Sequence, residues 1–138
     1  MADALRIAET KAWMEKAWRD LEMSQRAVAG HPPFYDMAVY HCQPAAEKAV
    51  KAFLVHQGKS YEKTHDIEVL VDLACETEPG FSKLTDAADA LTPYATRFRY
   101  PNSTFAVEPQ PVEYREALQH AQTIFDFVVN LLPKEARP

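Results

Sequence analysis

The chain has few glycines, and their placement excludes one large class of nucleotide site. Of its 138 residues only three are glycine, namely Gly30, Gly58 and Gly80, and each stands alone. A glycine-rich phosphate loop needs several glycines close together, because its backbone amides must approach the phosphate. Each glycine here follows an amphipathic stretch, where the end of a helix favours a residue that tolerates positive φ. The sequence therefore contains helix-ending glycines and no phosphate loop.

Cysteine and histidine are also too sparse and too scattered for a metal site. The two cysteines, Cys42 and Cys75, form no CxxC pair and fall on apolar faces of predicted helices, so we expect buried, reduced thiols. The five histidines lie at no zinc-site spacing from each other, from cysteine or from a carboxylate: they are His31, His41, His56, His65 and His120. We predict no metal and no cofactor.

The chain lacks a signal peptide and any apolar run of membrane-spanning length, so we expect a cytoplasmic protein without a membrane partner.

Its net charge of -5 argues against broad coating of nucleic acid. The charge is uneven, because residues 66–96 hold seven acids and one base, whereas residues 41–65 hold four lysines and two acids. Two interpretations stay open: a local basic patch, or ordinary solvated helix faces.

Apolar residues at helical spacing predict an all-α fold. We expect an up-and-down helical bundle of four to five helices, with residues 1–132 as a single domain and residues 133–138 as a polar, frayed C-terminal tail. The predicted helices cover about residues 7–29, 34–56, a short segment from 64 or 66, 81–95 and 111–132. Pro44 falls inside the second of these, and predicts either a kink at residues 40–44 or a separate short helix before it.

Three segments resemble the HEPN family (higher eukaryotes and prokaryotes nucleotide-binding domain). They are the run from Gln43 to Leu54, then Thr64-His65-Asp66, then Arg99-Tyr100-Pro101. The resemblance implies a homodimer, a nucleotidyltransferase partner in a toxin–antitoxin-like pair, and nucleotide or RNA as ligand. It also implies a ligand groove beside the second helix, formed by Lys48, Lys51, His65, Arg97, Arg99 and Tyr100.

Catalytic HEPN domains use an Arg-x(4–6)-His motif before the last long helix, with the histidine moving a proton and the arginine holding the phosphate. No histidine follows Arg97 or Arg99 within that spacing. Arg26 and His31 match the spacing, but at the end of the first helix. We therefore predict no catalytic residue and a non-catalytic interaction and nucleotide-binding module. The alternative is a metal-independent endoribonuclease toxin.

Each candidate site residue also has a structural interpretation. Arg99 either holds a phosphate or pairs with an internal carboxylate such as Asp20 or Glu47, and Tyr100 either stacks on a base or plugs the end of the bundle. His65 either contacts a ligand or, as we favour, caps the third helix. Lys48 and Lys51 are either ligand contacts or part of a solvated face. Glu47 and Lys51 have the i,i+4 spacing of an ordinary surface pair.

Overall fold

The computed structural model describes residues 2–61, 63–97 and 108–138. These residues form five α-helices: α1 (Ala2–Ala27), α2 (Tyr35–His56), α3 (Ile67–Cys75), α4 (Thr85–Leu91) and α5 (Pro111–Leu131). Short 3-10 turns lie at Pro79–Leu84, Thr92–Ala95 and Lys134–Ala136, and no strand occurs within these ranges. The predicted all-α helical bundle is confirmed.

The two longest helices, α1 and α2, pack antiparallel along their length. Arg6, near the start of α1, lies beside Gly58, just after the end of α2. Ser24, near the end of α1, donates to the carbonyl oxygen of Ala38, near the start of α2, at 2.7 Å. This arrangement brings the C-terminal half of α2 against the middle of α1, where the polar site described below is found.

The core is built from small residues on α2 and larger ones on the surrounding helices. Ala45, Ala46, Ala49 and Ala52 are completely buried, which lets neighbouring helices approach α2 closely. Phe81 is also completely buried, and its ring lies 4.7 Å from that of Phe53 and 4.9 Å from that of Phe127. Helix α5 contributes its predicted apolar face: Tyr114, Ala117, Ala121, Ile124, Phe125 and Val128 are buried.

Pro44 lies inside α2, which runs as one helix from Tyr35 to His56. The alternative of a separate short helix before Pro44 is therefore wrong. Packing on both sides of α2 compensates for the backbone hydrogen bond that the proline ring removes. The predicted glycine end of this helix is confirmed: Gly58 has φ +69°, and the amide of Lys59 donates to the Leu54 carbonyl at 3.0 Å.

The segment between α3 and α5 differs from the single helix predicted over residues 81–95. Only Thr85–Leu91 is α-helical, between the two 3-10 turns. Pro79 and Pro93 each occupy the first turn of their 3-10 segment, where the missing amide does no harm. Gly80 consequently lies inside a 3-10 turn, and its predicted role as a helix C-cap is wrong.

The C-terminal tail packs on the bundle. Ala136 is fully buried, and the Nε of Arg137 donates to the Leu132 carbonyl at 3.1 Å. The 3-10 turn Lys134–Ala136 contacts α1. The expected fraying of this tail is therefore wrong, because a small apolar side chain in an otherwise polar segment is enough to hold it against α1.

Candidate functional site

The centre of the site is the carboxylate of Glu47 on α2, which accepts three hydrogen bonds. Gln43 Nε2 donates at 3.0 Å and Lys51 Nζ at 2.8 Å, one turn before and one turn after Glu47 on the same helix. His65, from the segment before α3, bonds through Nδ1 at 2.8 Å. Gln43 also donates to the His65 carbonyl at 2.8 Å. Both the backbone and the ring of His65 are thus attached to α2.

The hydrogen bonds decide the ionisation of Glu47. Burial disfavours the charged carboxylate, but the bonds from Lys51, Gln43 and His65 outweigh it and lower the pKa of Glu47 below its ordinary value. Glu47 is therefore a carboxylate at neutral pH. Charge-assisted hydrogen bonds of this kind are short and strong, so the cluster is a rigid element.

Lys51 is buried, with only 9% of its side chain exposed. Its ammonium lies 5.7 Å from the ring centre of Trp13 and 5.8 Å from that of Tyr61, within the range of cation–π attraction. The i,i+4 pair with Glu47 is thus a buried pair, and its interpretation as an ordinary surface pair is wrong. The spacing alone does not distinguish a solvated helix face from one that α1 and the segment before α3 cover.

His65 combines a fixed position with an exposed ring. Its side chain is 82% exposed, although Nδ1 is held by the buried Glu47 carboxylate. The N-cap of α3 is Asp66, whose side chain accepts from the Glu68 amide at 3.0 Å, while Thr64 accepts from the Asp66 amide. The preferred interpretation of His65 as a cap is therefore wrong. Asp66 performs that role: its backbone is extended, and aspartate is one of the residues that N-cap positions favour.

A second carboxylate cluster lies further along the α1–α2 interface. Asp20 accepts from Lys48 Nζ at 2.6 Å and bonds His41 Nδ1 at 2.9 Å. Burial opposes its ionisation, but His41 and Lys48 together lower the pKa of Asp20 below its ordinary value. Asp20 and Glu47, the two carboxylates considered as alternative partners of Arg99, thus each hold a lysine and a histidine.

Two clefts meet at His65. The first, called here the Trp13 cleft, measures about 560 Å³ and is lined by Trp13, Lys51, Tyr61, Lys63, Thr64 and His65. The second, called the Pro44 cleft, measures about 310 Å³ and includes Tyr40, Gln43, Pro44, Glu47, Lys48 and Thr96 beside His65. The Trp13 cleft offers two aromatic side chains next to cationic ones, which suits a ligand with a flat ring and a negative charge.

The family model for the HEPN domain matches residues 10–132, most of the chain. This chain belongs to the HEPN family. Two solved structures support the assignment. TT1696 from Thermus thermophilus is 29% identical with a TM-score of 0.75, and the match covers 89% of this chain and 98% of that one. ST0689, an archaeal HEPN homologue, is 28% identical with a TM-score of 0.70, and the match covers 88% of this chain and 96% of that one. No curated protein matches the chain.

This HEPN domain brings together three of the six predicted site residues. Lys51 and His65 line the Trp13 cleft, and His65 and Lys48 line the Pro44 cleft. Arg97 instead contacts α5, where its guanidinium and the Tyr94 hydroxyl both donate to Glu113 at 2.9 Å. Arg99 and Tyr100 lie outside the described residues.

Several residues of the HEPN domain's site were not singled out from the sequence. Trp13 lies on the apolar stripe of α1, a position typical of core residues, yet it is only partly buried and lines a cleft. Tyr61 and Lys63 lie in the segment before α3. An aromatic residue followed two positions later by a lysine is a pattern that could have indicated a nucleotide-binding segment. Gln43 opens the run that carries the family resemblance, and it anchors His65.

The Arg-x(4–6)-His match at the end of α1 lies outside this site, since neither Arg26 nor His31 lines the Trp13 cleft or the Pro44 cleft. The Arg26 side chain is 71% exposed and pairs with Glu22 at 3.6 Å.

Among the residues that the structure describes, no three His, Cys, Asp or Glu side chains cluster as metal ligands. In the same residues no helix is long and apolar enough to cross a membrane.

Proposed function

We propose that this HEPN domain is a non-catalytic interaction module that binds a nucleotide in the Trp13 cleft. The observation that carries the proposal is the combination of Trp13, Tyr61, Lys63 and His65 in one cleft of about 560 Å³. This volume lies in the range of small-molecule sites, and aromatic side chains next to bases are the chemistry that recognises a nucleobase with its phosphate.

Different residues of the Trp13 cleft contact the base and the phosphate of the nucleotide. Lys63 is exposed and has no ion-pair partner among the described residues, so its ammonium is available to a phosphate. Lys51 is paired with Glu47 and lies against the rings of Trp13 and Tyr61, so it holds the aromatic side of the cleft in place. The exposed ring of His65 presents Nε2 to the ligand, because Nδ1 is already bonded to Glu47.

The remaining predicted contacts extend the proposal. Lys48 lies in the adjoining Pro44 cleft, although it is partly committed to Asp20. Arg97 follows Thr96, which lines that cleft. The resemblance adds Arg99 as a phosphate ligand and Tyr100 as a stacking residue. Arg99→Ala should then weaken nucleotide binding without lowering the melting temperature. A large loss of melting temperature with unchanged binding would contradict this role.

Intrinsic fluorescence tests the site directly. The chain has two tryptophans, so Trp18→Phe leaves Trp13 as the single reporter in the cleft. Titration of this variant with adenosine monophosphate or triphosphate should quench its emission, and binding should weaken as salt rises. Lys63→Gln should lower affinity about tenfold. The matched control Lys83→Gln, an exposed lysine on the 3-10 turn before α4, should have no effect.

Failure to quench at millimolar nucleotide, or equal effects of Lys63→Gln and Lys83→Gln, would contradict the proposed site. An RNA cleavage assay in the presence of a chelator tests the non-catalytic assignment. Cleavage by the wild-type domain that is abolished in His65→Ala would favour the alternative, a metal-independent endoribonuclease.

The proposal includes two partners. A second copy of the chain is supported by the large apolar side chains that remain exposed, among them Leu5, Phe34, Met37 and Val112. A nucleotidyltransferase in a toxin–antitoxin-like pair is supported only by the resemblance to HEPN proteins encoded beside one. Light scattering that gives a dimer mass, and co-purification with the product of an adjacent nucleotidyltransferase gene, are the expected results. A monomer at high micromolar concentration would contradict the dimer.

A further inference from the structure

His65 combines two properties that are separate in the other histidines, all of which lie in the described residues. Its Nδ1 lies 2.8 Å from the Glu47 carboxylate, while 82% of its side chain is exposed. His41 also bonds a carboxylate through Nδ1, that of Asp20 at 2.9 Å, but only 21% of its side chain is exposed. The remaining histidines have no carboxylate partner in the described part of the chain: they are His31, His56 and His120.

The bond to Glu47 decides which ring nitrogen of His65 carries the proton. Glu47 is ionised and also accepts from Lys51 and Gln43, and because a carboxylate can only accept, Nδ1 of His65 is the donor. A neutral imidazole has a single N–H, so Nε2 of the neutral ring keeps its lone pair. Nε2 makes no hydrogen bond to the described residues. The ring therefore presents a nucleophilic nitrogen to solvent.

The surroundings of this nitrogen are cationic. Lys51 and Lys63 line the Trp13 cleft together with His65, and no acid is among the described residues that line it. Lys63 is exposed and has no ion-pair partner in the described ranges. Ammonium groups attract a phosphoryl donor and stabilise the charge on the oxygens of the group in transfer. The cleft therefore favours an electrophile that carries negative charge.

We propose that Nε2 of His65 is a phosphorylation site, whose donor is a phosphoramidate, a compound with a phosphorus–nitrogen bond. The Nε2 lone pair attacks the phosphorus and forms a new nitrogen–phosphorus bond. The donor's own phosphorus–nitrogen bond breaks, and its nitrogen, which is protonated in the donor, takes the electron pair and leaves as a neutral amine or ammonia. Nothing is oxidised or reduced, and no general acid is needed for the leaving group.

Glu47 stabilises the product of this step. Nδ1 of His65 keeps its proton during the transfer, so the positive charge that the ring gains lies beside the Glu47 carboxylate. An opposite charge at hydrogen-bond distance favours the charged form of a ring. The same bond that exposes the Nε2 lone pair thus also favours the phosphorylated state.

Phosphorylation of His65 would act on the nucleotide site. A phosphoryl group adds about two negative charges at neutral pH. It would lie in the Trp13 cleft and would pair with Lys63, the cation proposed for the nucleotide's phosphate. A nucleotide would then lose its cation and be repelled. This consequence rests on the proposed nucleotide-binding function, whereas the modification itself does not.

Reaction of the folded domain with potassium phosphoramidate at about pH 8, where imidazole side chains are neutral, tests the site. Peptide mapping by mass, kept out of acid because the nitrogen–phosphorus bond is acid-labile, follows each histidine over time. His65 should be phosphorylated several-fold faster than the other exposed histidine, His31, and His41 should react slowest because its ring is covered. Equal rates at His65 and His31, or a phosphoryl group on Nδ1 of His65, would overturn the proposal.

Two further measurements address the role of the neighbours. Lys63→Gln should slow the labelling of His65 several-fold, whereas the control Lys83→Gln should not. Nitrogen NMR of the wild-type domain should show the neutral His65 ring with its proton on Nδ1. A proton on Nε2, or equal labelling of His65 in the two lysine variants, would contradict the activation described here.

The nucleotide consequence has its own test. Phosphorylated Trp18→Phe should need more adenosine monophosphate for half-maximal quenching of Trp13 than the unmodified variant. Equal concentrations would overturn the effect of phosphorylation on the cleft. Absence of quenching in the unmodified variant would contradict the proposed function alone, because the phosphorylation of His65 is measured by mass.

Discussion

Glu47 and His65 are joined by a 2.8 Å hydrogen bond, although the Glu47 side chain is 6% exposed and the His65 side chain is 82% exposed. One buried carboxylate therefore fixes a ring that faces solvent. Because Glu47 also holds Lys51, a single acid on α2 positions two of the side chains that line the Trp13 cleft, Lys51 and His65. The stability of the domain and the shape of its site consequently depend on the same side chain.

Glu47→Gln should destabilise the domain strongly. The substitution removes the counter-ion of Lys51, whose ammonium stays buried, and loss of one partner from a buried pair costs about 3 kcal/mol or more. Urea denaturation measures the change. Glu22→Gln is the matched control, because it breaks an exposed i,i+4 pair with Arg26 and should cost less than about 0.5 kcal/mol. Similar losses in the two variants would contradict a buried role for Glu47.

Stability should fall in acid because of the two buried carboxylates. Folding lowers the pKa of Glu47 from its ordinary 4.5 and that of Asp20 from its ordinary 3.8. The unfolded chain therefore takes up protons first as the pH falls, so the stabilisation is complete above pH 4.5 and is lost progressively below it. Melting temperatures between neutral pH and about pH 3 should show this decline.

The double variant Glu47→Gln/Asp20→Asn provides the control for the acid decline. Its melting temperature at neutral pH should be lower than that of the wild type. It should vary less over the same pH range, because the variant lacks the two carboxylates whose pKa folding lowers. An unchanged slope in this variant would mean that other carboxylates produce the acid sensitivity.

Periodicity was sufficient to predict the long helices and the inner face of α5. The spacing of Ala117, Ala121, Ile124 and Val128 predicted the buried side of α5, and all four are buried. The segment over residues 81–95 was predicted as one helix, whereas only Thr85–Leu91 is α-helical. The pattern of apolar residues is the same in a 3-10 turn and an α-helix over so few residues, and the two prolines alone distinguish them.

The candidate site was less predictable because its chemistry is set by contacts distant in sequence. The i,i+4 spacing of Glu47 and Lys51 is identical on a solvated and on a buried face. The pair is buried only because Trp13 of α1 and Tyr61 of the segment before α3 pack against it. His65 similarly lies between Thr64 and Asp66, two residue types that favour the N-cap of a helix. Only the tertiary bond to Glu47 shows that His65 has a different role from Asp66.

Phe81→Ala should produce one of the largest losses of stability in the bundle. The side chain is completely buried between the rings of Phe53 and Phe127, and its removal leaves a cavity that these rings cannot close. We expect a loss of about 3–5 kcal/mol. Phe34→Ala is the control, because Phe34 is 56% exposed and should contribute little. If the two variants melt at the same temperature, the position of the 3-10 turn against α2 is wrong.

The two cysteines should differ sharply in reactivity. Burial raises the pKa of Cys42 to about 11, a change that its hydrogen bond with Ser24 only partly offsets. Cys75 is only half-buried, whereas Cys42 is fully buried, and burial together with Asp72 raises the pKa of Cys75 as well. At pH near 8 a thiol reagent should therefore label Cys75 in the folded domain and Cys42 only when the bundle opens, because the thiolate is the reacting form.

Counting reacted thiols with and without denaturant tests this difference. The wild-type domain should release one equivalent of the reagent's chromophore when folded and two in urea, because Cys42 and Cys75 are its only cysteines. Cys75→Ser should release none when folded, and its slow reaction should match the rate at which the domain unfolds. Rapid labelling of Cys42 in folded Cys75→Ser would contradict the close packing of α1 on α2 around Ser24, since that contact is what covers the sulfur.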